Sequence, residues 1–224
     1  MNSVAPILQD DIPGVFEARQ DRSVKNRDGF LKAGVQALHT MPFDEIKISD
    51  LARTSGNSVG SFYTRFQDKD AFLRALRSYA VNAIDAEHCA NFTAQKLRAL
   101  PPEEALDTLV DLMGEIFASR FRGVLRENYT RIMNADDPWA PIRIHAKKVV
   151  ATLHDGLENA FPQFGPSEAK VRLSFCFQIL VGVLQNDLVN NYHVFKLEDG
   201  TVLPGLKEAL RTYMALPLPE RDIP

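Results

Sequence analysis

Between Lys47 and Arg65 the chain gathers residues suited to meeting phosphates and base edges rather than to breaking bonds. Ser61, Tyr63 and Thr64, supported by Ser58, Val59 and Arg65, fall on or beside what reads as the outer face of a short helix. Hydroxyls and guanidinium groups meet phosphate oxygens, and an aliphatic side chain such as Val59 can touch a thymine methyl. Tyr63 is expected to reach a phosphate. Lys47 can add positive charge nearby, and Ser49 joins the candidate DNA-contacting set.

Such side chains need a rigid mount, and the spacing around them supplies one. Ile48, Leu51 and Ala52 recur at i, i+3, i+4 and predict one apolar helical stripe. Gly56 follows where a chain leaving a helix often turns left-handed, at no steric cost to glycine. Asn57 continues the turn, Ser58 can cap the next helix, and Phe62 with Phe66 gives that helix its inward face. The order of small residue, glycine and aromatic in Ala52, Gly56 and Phe62 describes a helix-turn-helix, whose second helix enters the major groove of DNA. A plain helical corner in a bundle shares this periodicity.

The neighbouring residues favour the first. Asp50-Leu51-Ala52, then Gly56 through Tyr63, then Phe66, then Lys69-Asp70-Ala71-Phe72-Leu73, strongly resembles the TetR family of bacterial transcriptional repressors. Phe30 to Leu38 and Pro42-Phe43 look like the family's first helix and the bend after it, so the match covers roughly residues 22–75. Three positions depart from the pattern. Val59 stands where the family often has lysine, Asn57 where it often has valine, and Lys47 where a capping Ser or Thr is usual. The resemblance implies a repressor that is a homodimer on a pseudo-palindromic double-stranded DNA operator, with a small-molecule effector site in its C-terminal domain. It also implies that Lys69 lies against the sugar–phosphate backbone.

Composition agrees with a soluble globular protein: 45% hydrophobic and 25% charged residues over 224 positions, enough for a sizeable core without metals or disulfides. Cys89 and Cys176 lie far apart in apolar patterns and read as reduced core thiols. No run of eighteen apolar residues and no basic–apolar leader pattern is present, so a cytoplasmic location without membrane contact is expected. The net charge of −3 divides unevenly: residues 19–77 hold 11 Lys and Arg against 7 Asp and Glu, and the rest 15 against 22. Positive charge thus collects where the motif lies.

Apolar periodicity predicts an all-α chain of about nine helices. A mobile arm over 1–19 precedes a three-helix DNA-binding domain over 20–68, with a first helix from about Ser23 to Thr40. A helical effector-binding and dimerisation domain over 69–216 begins with one long helix from about Lys69 to Phe92, and 217–224 form a loose tail. The stretch from Ser167 to Asn191 is apolar nearly all round and needs cover on every side. Either a second subunit covers it or it fills one thick monomer core. Phe175, Ile179, Gly182, Val183, Leu206, Leu210 and Tyr213 are the expected dimer contacts.

No HExxH, phosphate loop, nucleophile elbow or CxxC is present, so no catalytic residue, metal or cofactor is expected and the chain does not read as an enzyme. Polar residues interrupt the apolar helices at Asn128, Tyr129, Gln178, Gln185 and Asn186. They fit either an apolar pocket with a few orienting groups or ordinary surface and interhelical positions. The candidate ligand-binding set is Phe117, Tyr129, Trp139, His145, Phe175 and Gln178. A helical small-molecule-binding protein without operator affinity is the alternative reading, prompted by the missing lysine at Val59.

Overall fold

The computed structural model describes residues 12–18, 21–130, 140–190 and 194–218. Among them are ten α-helices and no strand, only one isolated antiparallel bridge between Val15 and Phe66. The helices are α1 (Asp21–Thr40), α2 (Ile48–Ser55), α3 (Val59–Tyr63), α4 (Lys69–Glu87), α5 (Ala94–Arg98), α6 (Pro102–Ala118), α7 (Arg122–Thr130), α8 (Ala140–Leu157), α9 (Pro166–Val189) and α10 (Val202–Tyr213). The chain folds as two compact units, one drawn from residues 1–86 with 120–142, the other from 87–119 with 143–224.

The first unit is built on phenylalanine. Phe30 of α1, Phe62 of α3, Phe66 and Phe72 of α4 are all fully buried. Their rings meet mostly edge to face: Phe30–Phe62 at 5.4 Å, Phe62–Phe72 at 5.3 Å and Phe66–Phe72 at 5.0 Å between centroids. This geometry sets the positive edge of one ring against the negative face of another, worth about 0.5–1.5 kcal/mol per pair beyond area burial. Phe43 extends the cluster, stacked on Phe72 at 6.5 Å. Gly34 lets α1 come this close, since a Cβ there would stand 2.6 Å from the Phe72 ring.

α7 belongs to this unit and packs on α1. A side chain at Gly123 would collide with the Leu38 carbonyl, which also accepts from the Arg126 guanidinium at 3.0 Å. The buried Glu127 carboxylate accepts from the Phe43 N–H at 3.2 Å, fixing the bend after α1. The expected boundary at 68 therefore does not coincide with the packing: the helices that steady α1 come from both sides of it.

The second unit contains α5, α6, α8, α9 and α10. α6 packs on both α9 and α10. Asp107 receives Arg211 through both carboxylate oxygens, at 3.0 and 2.7 Å, and Asp111 receives Lys207 at 2.7 Å. Gly114 gives way to Leu203, whose Cδ1 would be 2.7 Å from a Cβ there.

Several expectations change. Residues 12–18, expected within a mobile arm, are bonded to the head: Phe16 N–H donates to Arg65 O and Gln67 N–H to Gly14 O, each at 2.8 Å. Gly14, at φ +76°, makes that turn. The long helix stops at Glu87 rather than Phe92: a 3-10 turn over Cys89–Asn91 follows, and the extended Thr93 then caps a separate α5 through its hydroxyl. Phe66 lies beyond the end of α3, in the bridge, yet fills the core as expected. α9 is not buried all round: Ala169, Leu173, Cys176, Leu180 and Leu184 face the unit's interior, while Val171, Phe175 and Val183 are exposed. The rest of the arm and the tail from residue 219 lie outside the described residues.

Candidate nucleic-acid interface

The turn between α2 and α3 is closed by its backbone. Gly56 sits at φ +68°, ψ 25°, its N–H reaches the carbonyls of Ala52 and Arg53, and Asn57 N–H donates to Ala52 O at 2.9 Å. The Asn57 amide donates to Ser55 O at 3.1 Å, which suits a short polar side chain where the family often has valine. Lys47 precedes α2 and its side chain makes no capping bond.

α3 is held by a reciprocal capping box. Ser61 N–H donates to Ser58 Oγ at 3.1 Å, and Ser58 N–H donates to Ser61 Oγ at 3.0 Å. A five-residue helix has almost no internal hydrogen bonding to nucleate it, so such caps decide whether it forms. Phe62 anchors it from below at 0% exposure, leaving Val59 (42%) and Tyr63 (50%) outward. The Tyr63 ring meets Phe62 edge to face at 5.4 Å, so its hydroxyl is carried on a braced arm.

The predicted contact residues therefore separate into two groups. Lys47, Ser49, Ser58, Val59, Tyr63 and Thr64 are exposed around α2 and α3. Within the exposed group Ser58 is already held in the capping box and the Thr64 hydroxyl donates to Ser61 O at 2.8 Å, while the half-buried Ser61, Arg65 and Lys69 are engaged inside the head. The Ser61 hydroxyl, half-buried, reaches Ser58 O at 2.8 Å. Arg65 donates to Ser23 Oγ at 2.8 Å and Glu17 O at 3.2 Å, tying the arm and α1 to the segment after α3. Lys69 donates to Asp44 O at 3.0 Å, with its ammonium 4.9 Å from the Phe43 ring centroid.

Residues 30–76 match the family described as bacterial regulatory proteins, tetR family. Over that segment the chain is similar to the TetR family. The TetR-type segment is also 39% identical over 49 residues to the uncharacterized HTH-type transcriptional regulator YwcC of Bacillus subtilis (strain 168). That similarity spans 22% of this chain and 22% of the relative. Across the chain the TetR likeness is one of fold. A TetR-family transcriptional regulator structure from Rhodococcus sp. superposes with a TM-score of 0.59 at 16% identity, over 85% of this chain and 99% of that one. The fatty acid degradation regulator FadR from Bacillus halodurans gives 0.56 at 16% identity, over 92% and 100%.

The other predicted site residues do not converge. Phe117 is buried in the second unit, where His145 Nε2 stands 3.8 Å from Cys89 Sγ. Tyr129 is buried in the first unit, and loss of water pushes its phenol up to about 12. Phe175 and Gln178 lie on the exposed side of α9, where the Phe175 ring meets Tyr213 at 5.5 Å between centroids. Trp139 is outside the described residues. Leu206 and Leu210, expected at a dimer surface, are buried within their own unit at 4% and 0% exposure. They fall on the buried face of α10, which packs on α6 and α9, rather than on its exposed side.

One residue outside the candidate set stands out. Asn128 of α7 is 1% exposed, and neither its Nδ2 nor its Oδ1 has a hydrogen-bond partner. A buried amide left unpaired costs about 1–3 kcal/mol per group and calls for a ligand or water. The signal in the sequence was a polar residue in an apolar run, which exposure would have explained equally well.

Among the described residues no helix is long and apolar enough to cross a membrane.

Proposed function

We propose that the chain is a cytoplasmic transcriptional regulator that occupies a specific operator as a homodimer and is released by a small-molecule effector. The observation that carries it is the capped α3 above the phenylalanine core, presenting Val59, Tyr63 and Thr64 outward beside a glycine-closed turn. In the groove, Tyr63, Ser58, Thr64 and Lys47 meet phosphates and set register, while Val59 packs on a thymine methyl. Ser61, Arg65 and Lys69 act one step back: they hold α3, the arm and the bend after α1, with Lys69 adding positive potential toward the backbone.

Two such heads related by a two-fold axis read a pseudo-palindrome in successive major grooves. The exposed side of α9, with Phe175, Ile179, Gly182 and Val183, together with Tyr213 of α10, forms the two-fold contact in this reading. The effector is a molecule that both donates and accepts, which is what the Asn128 amide lacks. By binding whichever head spacing does not fit the operator, it shifts the population off DNA.

The test is selection of bound fragments from sheared DNA of the source genome at near-physiological salt, with wild type and Tyr63→Ala in parallel. A shared palindromic motif, lost in the variant, is the expected result. Absence of enrichment by the wild-type protein would overturn the assignment in favour of a small-molecule-binding protein without operator affinity.

A further inference from the structure

Away from the DNA-facing turn, the first unit holds a cavity of about 510 Å³ between α1, Tyr79 of α4 and the segment entering α7. This lies within the roughly 300–1,000 Å³ typical of small-molecule sites. Its floor is apolar: Val35, Tyr79 and Phe121 are buried, and the rings of Tyr79 and Phe121 meet edge to face at 6.3 Å. Two exposed cations, Lys32 and Arg120, stand in the lining, whose described residues include no acidic side chain. The Arg120 guanidinium lies over the Phe121 ring, 4.7 Å from its centroid, so positive charge sits directly on the apolar floor. An anion held there is attracted more strongly than in open water, because the wall lowers the effective dielectric.

We propose that this cavity is a binding site for an amphipathic organic anion. An aromatic or hydrocarbon body rests on Val35, Tyr79 and Phe121, and a carboxylate or sulfonate meets Lys32 and Arg120. A cation of the same shape is repelled, and a neutral one gains only the apolar contact. The site is separate from Asn128, which does not line the cavity. An occupant would brace α1, the helix whose Phe30 and Gly34 seat α3 and α4 through the aromatic cluster.

The full-length protein is titrated with two fluorogenic probes of similar shape, anionic 8-anilinonaphthalene-1-sulfonate and uncharged N-phenyl-1-naphthylamine. The doubly substituted Lys32→Gln, Arg120→Gln protein removes the charge, and Gln36→Trp fills the cavity from an exposed lining position. All three substituted residues are exposed, so the variants fold, and unchanged thermal melting verifies this. The charge variant is expected to bind the anionic probe about tenfold more weakly and the neutral probe within about twofold of wild type. Gln36→Trp is expected to weaken both. Equal loss of both probes in the charge variant, unchanged anionic affinity in it, indifference of both probes to Gln36→Trp, or no binding by wild type would each overturn the proposal.

Discussion

Two helices of this protein expose side chains that a lone globular chain has little reason to expose, and they do so with opposite chemistry. α3 is five residues long and shows solvent a valine, a tyrosine and hydroxyls, steadied by caps at its start and one buried ring beneath. α9 is 24 residues long and shows Val171 at 68%, Phe175 at 45% and Val183 at 39% exposure along the side away from its own core. A short polar surface on a rigid aromatic base suits a hydrated, charged partner that is read and released. A long apolar side suits a permanent cover, because leaving it wet forgoes about 25 cal/mol per Å². The difference teaches that exposure alone says little; the residue types and what braces them from behind distinguish the two roles.

The comparison breaks most readily at its base. Phe62→Ala should cost about 3–5 kcal/mol of head stability, since the ring is fully buried among three others. Urea unfolding of the full chain should then show the first unit melting early, with operator binding lost. An unfolding midpoint like that of wild type would mean that the cluster does not carry α3. Phe175→Glu probes the other side. In sedimentation it should weaken dimerisation by about a hundredfold, roughly 3 kcal/mol, while Leu210→Glu should unfold the second unit instead. If Phe175→Glu leaves the association state unchanged, the outer side of α9 is not the two-fold contact.

The smallest effect sharpens the picture of α3. Ser61→Ala should lower head stability by about 1 kcal/mol through loss of the capping box. It should weaken all DNA sequences alike. A loss confined to one base position would return Ser61 to the group of direct contacts.

Much of the head was legible in the chain, because its determinants are local. Ala52, Gly56, Ser58 and Phe62 dictate helix, left-handed turn, cap and anchor within eleven residues, and each acts on backbone close by in sequence. All-α architecture and most helix positions followed from periodicity for the same reason. Local pattern did not reveal which polar groups were already engaged. Arg65 also reaches Glu17 O and Ser23 Oγ, and Lys69 reaches Asp44 O and the Phe43 ring, partners that local pattern does not announce.

The same holds for the second unit. A helix apolar on most sides states a need for cover but not which side is covered from within. That was decided by α6 and α10, distant in sequence, which made Leu206 and Leu210 core residues and left Phe175 and Gln178 outside. Asn128 is the clearest case: sequence gave a polar residue in an apolar run, and only the packing around α7 made it a buried amide without partners. Residue order by itself determined the helix-turn-helix and its outward side chains, because caps and turns act over a few residues. Tertiary structure alone decided which groups remain available and which cations share a cavity, because those depend on neighbours that distant parts of the chain bring together.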